Sequence, residues 1–444
     1  MDLLAKIKQV ALIIGDLIIA YIALVITLYI RYGEFSNEVI QWHWWPFTIT
    51  FLIWLIVFYI GNLYDLSYLK NSIEFLKQWG SVLGVAFLLS IMIFYFIPGV
   101  IIAPKTNLFL VITIFGLLNY FWRTGYNNLL STGSPYNKVL LIGYNQTTQE
   151  LADYISQNPQ LGYDIKFWMK EGLRDKEFDH LAQIIIANKI NVLAVPAHIK
   201  KDSKAGRLIY KNLTLGIEVF DLAELYERVF QKIPLAELEE VWFLENLTKK
   251  HRLYEFLKRP VEVLSAIIIG LITLPLSCLI YLFIKVISPG PAIFSQRRAG
   301  KGSSEFTIYK FRTMRLDAEK NGPQWADKND RRVLPLGNLL RKSHLDELPQ
   351  IINIIRGDLS LVGPRPERPE FIEKLRIEIP YYDLRHIIRP GITGWAQINY
   401  RYGASVEDAY EKSQYDIFYI KSRSLVLDIL IVIKTLRLLF TSAK

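Results

Sequence analysis

Four apolar runs crowd the first 125 residues and constrain this chain more than any other feature. They cover about residues 10–30, 46–64, 80–100 and 107–122, each near the length that crosses bilayer hydrocarbon. Without water, a backbone must satisfy its own polar groups, so each run is expected to be a helix. Aromatic residues gather at the ends (Trp42, Trp44, Trp45, Tyr64, Trp79, Tyr120, Trp122), as they do at membrane interfaces. In an alternating topology Lys6, Lys8, Lys70, Lys77, Arg123 and Lys138 fall on one side, and Arg31 and Lys105 on the other. The positive-inside rule then places both ends of the bundle in the cytoplasm. The first run lacks a small-residue cleavage site and three more runs follow, so it reads as an anchor. Asp16, inside that run, is expected to be hydrogen-bonded to neighbouring helices, with a polar lock or relay as the alternative.

A different rhythm follows. Residues 137–142 (NKVLLI) form a short apolar run that leads into Gly143 and a helical segment from about 147. Strand-like runs at 165–169, 192–195 and 216–220 alternate with helical stretches around 178–188 and 205–215. Such alternation implies a parallel sheet and a Rossmann-like α/β domain. The first turn reads GYNQTT and keeps only the first glycine of a dinucleotide fingerprint, so a structural or regulatory role is expected.

A fifth apolar run, about 261–287, has Pro275 in its middle and basic residues on both flanks: Lys258 and Arg259 before it, Lys285, Arg297 and Arg298 after it. Basic flanks on both sides argue that both ends stay on one face. A central proline removes one helix hydrogen bond and kinks the axis. A helix-break-helix that enters and leaves one leaflet fits both facts; a kinked spanning helix is the competing reading. The terminal stretch 424–439 sets Asp428, Lys434 and Arg437 among leucine and isoleucine, which suits an interfacial amphipathic helix or a packed terminal helix.

The net charge of +10 points to an anionic partner, either lipid headgroups or a phosphorylated substrate; the apolar segments argue against nucleic acid. The single cysteine, Cys278, lies in the fifth apolar run and reads as a small hydrophobe. Chemistry concentrates after that run. Asp346 and Glu347 are adjacent, and their side chains diverge by about 100° on a helix, so they need not share one task. Alone, an Asp-Glu pair is most often helix surface. Here Arg341 lies just upstream and a Gly-Pro-Arg-Pro turn presents Arg365 downstream. Arginines fixed beside glycine and proline lose little entropy on meeting phosphate and grip it with a bidentate fork. Carboxylates can attack phosphorus or hold Mg²⁺, which takes carboxylate and phosphate oxygens together.

Four ordered motifs carry a resemblance: SPGPAIFSQRRAGKGSSEFTIYKFRTM (288–314), SHLDELPQIINIIRGDLSLVGPRP (343–366), RPGITGWAQINYRYG (389–403) and YDIFYIKS (415–422). Over 258–444 the chain resembles the bacterial polyprenyl-phosphate sugar-1-phosphate transferases. Its whole layout is similar to the large monotopic members that begin exopolysaccharide or O-antigen units. The resemblance implies three domains: a four-helix membrane bundle over 1–130, a Rossmann-like domain over 131–247, and a mainly helical catalytic domain over 248–444 with a re-entrant helix kinked at Pro275. It implies that Asp346 attacks the sugar-bearing phosphate of a UDP-sugar, expels UMP and holds the phospho-sugar until polyprenyl phosphate takes it. Glu347 would bind Mg²⁺. Lys310 and Asp416 match positions that activity needs, and Arg341 and Arg365 match phosphate contacts. Arg312, Arg389 and Arg401 are grouped with those contacts. Glu262 departs from the aspartate often found at its position. The implied setting is the cytoplasmic face of the bacterial inner membrane, among its lipids, and a homodimer is compatible with it. No motif reads the sugar ring.

Two other functions compete. A membrane-anchored nucleotide-sugar dehydratase or epimerase needs the glycine fingerprint that the middle region lacks. A non-catalytic polysaccharide-assembly scaffold leaves the four motifs without a task.

Overall fold

The computed structural model describes residues 3–33, 36–65, 69, 71–96, 104–132, 137–170, 180–201, 203–248, 252–315, 318, 332–400 and 405–441. The protein is mostly helical and divides into two compact units, Met1–Val229 and Phe230–Lys444.

The first unit opens with α1 (Leu3–Tyr32), α2 (Asn37–Ile60), α3 (Ile73–Phe96) and α4 (Pro104–Thr132). By length and composition all four can cross a membrane. Leu24, Phe51, Trp54, Phe58 and Phe115 meet in their shared core, whereas Ile14, Ile18 and Ile22 leave an apolar face of α1 uncovered. Lipid-facing helices look like this, because lipid tails are as apolar as the residues they meet. Polar side chains therefore decide which helices adhere. Trp54 donates to Ser90 Oγ at 2.7 Å, and Trp79 to Asn119 Oδ1 at 3.0 Å.

Asp16 sits at the densest such contact. Asn119 donates to it at 2.7 Å, and Arg123 pairs with its other carboxylate oxygen in a fully buried ion pair between α1 and α4. Arg123 also donates to Leu63 O at 2.7 Å and lies over the rings of Phe58 and Tyr64. The expected hydrogen bond to a neighbouring helix is present, and the cation is an addition that charge spacing had assigned to the membrane surface.

Four strands follow: β1 (Asn137–Ile142), β2 (Tyr163–Met169), β3 (Val192–Val195) and β4 (Glu218–Asp221). All pairings are parallel and the order is β2-β1-β3-β4. β1 and β3 are apolar and buried, as central parallel strands must be. β4 starts later than expected because Gly216 adopts a left-handed φ of 74° that closes the turn before it. The expected helix around 178–188 is observed as Leu181–Asn188; its first residues lie outside the described ones. The helix after β1, Gln146–Gln157, is capped by its own Asn145, whose side chain accepts from Thr148 N.

The second unit is built on one long helix, Arg252–Ile287. The sequence suggested a break at Pro275, but the helix continues through both Pro260 and Pro275. A proline deletes only one hydrogen bond, and the neighbouring turns keep theirs. Glu262 fastens this helix to β7 (Ser360–Val362) by accepting from Leu361 N at 3.0 Å and from the Ser360 hydroxyl. Lys258 reaches Val362 O and Asp428, each at 2.9 Å, and stands 3.6 Å from Glu262. Of the basic residues before the apolar stretch, Lys258 is thus the one beside the Glu262 carboxylate. Arg259 donates to Ile354 O and Ile355 O near the end of helix Ile351–Arg356, where Gly357 N also donates to Ile354 O.

The hairpin β5 (Ile293–Ala299) and β6 (Glu305–Phe311) follows the long helix, and β7 pairs in parallel with β8 (Gly391–Thr393). Helices Pro369–Glu378 and Val406–Ser422 close over a core that also takes Ile233, Leu235, Phe243 and Leu247. The terminal helix Leu425–Thr441 buries Ile431 against Val362, Trp395 and Tyr419 and leaves Val426 and Ile429 exposed.

Replacing Arg123 by Met strands Asp16 without its cation, and the expected cost is about 3–5 kcal/mol. It should appear as a lower unfolding midpoint in detergent, and the paired Asp16→Leu, Arg123→Met change should regain most of it.

Candidate active site

Three separate elements meet at the Glu347 carboxylate. Lys310 comes from β6, Glu347 from the 3₁₀ turn Leu345–Gln350, and Arg365 from the turn after β7. Lys310 Nζ donates to Glu347 Oε1 at 2.8 Å, and Arg365 Nη2 donates to the same oxygen at 2.9 Å. The second oxygen, Oε2, receives no hydrogen bond from the described residues. His344, in a left-handed conformation with φ 53°, opens the turn that carries Asp346 and Glu347, and Pro349 stiffens it.

The hairpin decides which basic residues join. Opposed residues on an antiparallel pair point to one face, and Gln296 faces Ile308 while Arg298 faces Phe306 and Phe294 faces Lys310. Arg298, Ile308 and Lys310 therefore share a face, and with Glu347, Gln350 and Arg365 they line a small polar pocket. Arg297, one residue away, points out to solvent and pairs with Glu305.

Arg365 is held through its backbone. Gly363 N donates to Thr393 O at 2.8 Å, Gly391 N to Pro364 O at 2.9 Å, and Arg385 Nη2 to Arg365 O at 3.0 Å. The strands approach so closely that a Cβ on Gly391 would lie 2.1 Å from Gly363 N. Arg385 is itself held by Asp416 at 2.8 Å and by the Tyr382 hydroxyl at 2.6 Å. Asp416 thus lies behind the pocket and reaches it through Arg385 and the Arg365 carbonyl.

Charge states follow from burial and neighbours. Burial pushes the Glu347 carboxyl up, but Arg365 and Lys310 outweigh it and hold the group well below the usual carboxylate range. Burial pushes Asp346 up from its ordinary value, against the pull of Lys310. It pulls the Lys310 ammonium down, with Glu347 opposing. Burial also raises Asp416 to about 6 despite Arg385 beside it. Asp346 is buried and accepts no hydrogen bond from the described residues, so its carboxylate, when ionised, is poorly solvated.

The remaining sequence candidates are dispersed. Arg312 is buried and donates to Ser288 O and Pro289 O, which fixes the turn after the long helix. Arg341 donates to Thr313 Oγ1 at 3.0 Å. Arg389 is exposed, and Arg401 lies outside the described residues. In the sequence reading Arg298 and Arg385 counted only among the many basic residues after the fifth apolar run, without either being placed in the site, and Gln350 was not named. For Arg298 the period-two alternation with Lys310 was the available signal. Among the described residues no cluster of three or more His, Cys, Asp or Glu is present. Mg²⁺ needs fewer, since it commonly takes one or two carboxylates and completes its shell with water and substrate phosphate. Asp346 and Glu347 fit that donor set.

Three cations and one carboxylate line this pocket, and its unit is built on a membrane-length apolar helix, which together mark a membrane-associated protein whose pocket can take an anion. The bacterial sugar transferase family matches residues 253–442. The UDP-glucose:undecaprenyl-phosphate glucose-1-phosphate transferase of Xanthomonas campestris pv. campestris is 31% identical over 332 residues, covering 70% of this chain and 68% of that protein. The Escherichia coli protein of the same name is 32% identical over 319 residues, 68% of this chain and 67% of its own. A UDP-N-acetylgalactosamine-undecaprenyl-phosphate N-acetylgalactosaminephosphotransferase of Aeromonas hydrophila is 40% identical over 251 residues, 56% of this chain. The match spans 59% of the Aeromonas protein's length. The chain belongs to the bacterial sugar transferase family.

Gly391→Ala should force β7 and β8 apart and loosen the Arg365 turn, at about 1–3 kcal/mol or more. Hydrogen exchange at the Gly363 amide, accelerated relative to the parent, is the measurement.

Proposed function

We propose that this protein transfers a sugar-1-phosphate from a UDP-sugar to undecaprenyl phosphate, as the first membrane step of exopolysaccharide or O-antigen synthesis. The observation that carries this reading is the buried Asp346 carboxylate beside a Glu347 clamped by Lys310 and Arg365. The names of the relatives supply the substrate classes.

In this reading an Asp346 oxygen attacks the sugar-bearing phosphorus. The bond from phosphorus to the bridging oxygen breaks, and its electron pair leaves with UMP. An oxygen of the acceptor phosphate then attacks the same phosphorus and displaces Asp346. Burial keeps the Asp346 carboxylate poorly hydrated and ready to attack, while Lys310 favours its ionised form. Arg365 and Lys310 offset charge that builds on the transferred phosphoryl group. Arg341 and Arg389 are secondary phosphate contacts, and Arg312 holds the turn that positions β5. Glu347, with Asp346 beside it, would hold Mg²⁺, and the ion would supply further charge neutralisation there. Asp416 acts on Arg365 through Arg385.

The long helix carries basic residues at both ends and exposes most of its apolar surface. We read it as re-entrant, its axis bent at Pro275 while the turns on either side stay helical, with the pocket on the cytoplasmic face of the inner membrane beside the acceptor's phosphate. The β2-β1-β3-β4 sheet is read as a Rossmann-like domain.

Purified protein in detergent, given radiolabelled UDP-sugars, Mg²⁺ and undecaprenyl phosphate, should form lipid-linked product and release UMP. Asp346→Asn should cut the rate by at least about a thousandfold, since a covalent nucleophile is lost. Undiminished transfer by this variant would sink the nucleophile assignment. The rate should fall on acidification as Asp346 takes a proton, with a midpoint above the ordinary aspartate value of 3.8. Lys310→Gln removes the cation that favours ionisation, so its residual activity should lose its acid limb at still higher pH.

A further inference from the structure

The three pocket cations are not equivalent. Lys310 and Arg365 both bond to Glu347. Arg298 gives its donors to neutral groups, Pro366 O at 3.2 Å and Gln296 Oε1 at 2.8 Å. Its ion-pair partner Glu367 stands off at 3.6 Å, and its buried Nε has no hydrogen-bond partner among the described residues. Burial lowers the Arg298 guanidinium to about 10, with Glu367 pulling back and Arg365 and Arg368 pushing the same way as burial. A half-buried cation whose hydrogen bonds all go to neutral groups is incompletely compensated, and an anion brought to it returns part of that cost.

The proposed reaction poses a requirement at this spot. The phosphoryl group stays on Asp346 between the two steps. In-line displacement sends the UMP phosphate out on the side opposite Asp346. The acceptor must attack from that same side to displace Asp346. Both groups are phosphate monoesters, so one subsite must release the first and receive the second. Asp346 is absent from the pocket wall, whereas Arg298 is part of it together with Lys310 and Arg365.

We propose that Arg298 is the principal ligand of a phosphate-monoester exchange subsite, holding the departing UMP phosphate and then the entering polyprenyl phosphate. This rests on the transfer reaction proposed above. When the first bond breaks, the leaving phosphate gains a negative charge beside a guanidinium that makes no hydrogen bond to Glu347 and feels that carboxylate only at longer range. Arg298 therefore stabilises the departing group more than the bound donor, which is the condition for lowering the barrier.

The test uses the full chain in detergent and two probes, UMP and uridine, which differ only by the phosphate. In Arg298→Gln the advantage of UMP over uridine in binding calorimetry should shrink about tenfold or more, the scale of a charge-assisted hydrogen bond. The KM for undecaprenyl phosphate should rise by a similar factor. An unchanged UMP-to-uridine ratio overturns the assignment, as does a raised UMP constant with an unmoved acceptor KM. If the Gln variant does not fold, Arg298→Lys keeps the charge and loses the planar fork, and the ratio should drop about threefold; no drop overturns it. Parent protein that transfers no sugar-phosphate removes the transfer reading and this inference with it. Parent protein that transfers normally, with variants that bind UMP equally well, removes this inference alone.

Discussion

One oxygen atom, Glu347 Oε1, receives both Lys310 and Arg365, and the pocket depends on that shared contact. It ties a hairpin strand, a 3₁₀ turn and the turn after β7 to a common point. Take the carboxylate away and two partly exposed cations face each other with no carboxylate between them. Burial alone would protonate the group, so its ionised state is a product of the two bases. The arrangement also leaves the neighbouring Asp346 without a hydrogen bond from the described residues. Adjacent acids in one tight turn therefore sit in opposite states: one saturated with cations, the other buried and poorly solvated. Their different roles in the proposed chemistry follow from that contrast.

Behind this contact the backbone does the holding. Gly363 and Gly391 let β7 and β8 meet without side chains between them, and Arg385 pins the Arg365 carbonyl from the other direction. Asp416 belongs to that support. The long helix is joined to the same strand by Glu262, Lys258 and the Tyr254–Tyr419–Asp428 hydroxyl and carboxylate network.

Much of this was legible in the sequence where periodicity or turn chemistry speaks. The apolar runs marked α1 to α4, and alternating short runs marked the four parallel strands. LDELPQ and GPRP marked the elements that meet at Glu347. Arginine, however, is ambiguous in one dimension. Arg312 and Arg365 both stand beside turns, yet the first caps backbone carbonyls in the interior and the second faces the pocket. Arg123 was counted as a surface marker of topology, and it is buried because Asp16, far away in sequence, neutralises it. Nothing local distinguishes these cases, since the partner of each guanidinium is set by tertiary pairing. Proline misled for a related reason: Pro275 removes one bond, and the rest of the helix keeps its own.

The fastening of the long helix makes its register a measure of height. Glu262 and Lys258 grip β7 near the helix's start, and the apolar stretch begins immediately after them. The pocket and the apolar stretch are thus parts of one rigid ruler. Adding a helical turn between the grip and the stretch would displace one relative to the other by about 5.4 Å. A lipid headgroup spans only a little more than that. The length of the connection at residue 262 therefore sets which layer of the bilayer the pocket can address, independently of every residue that lines it.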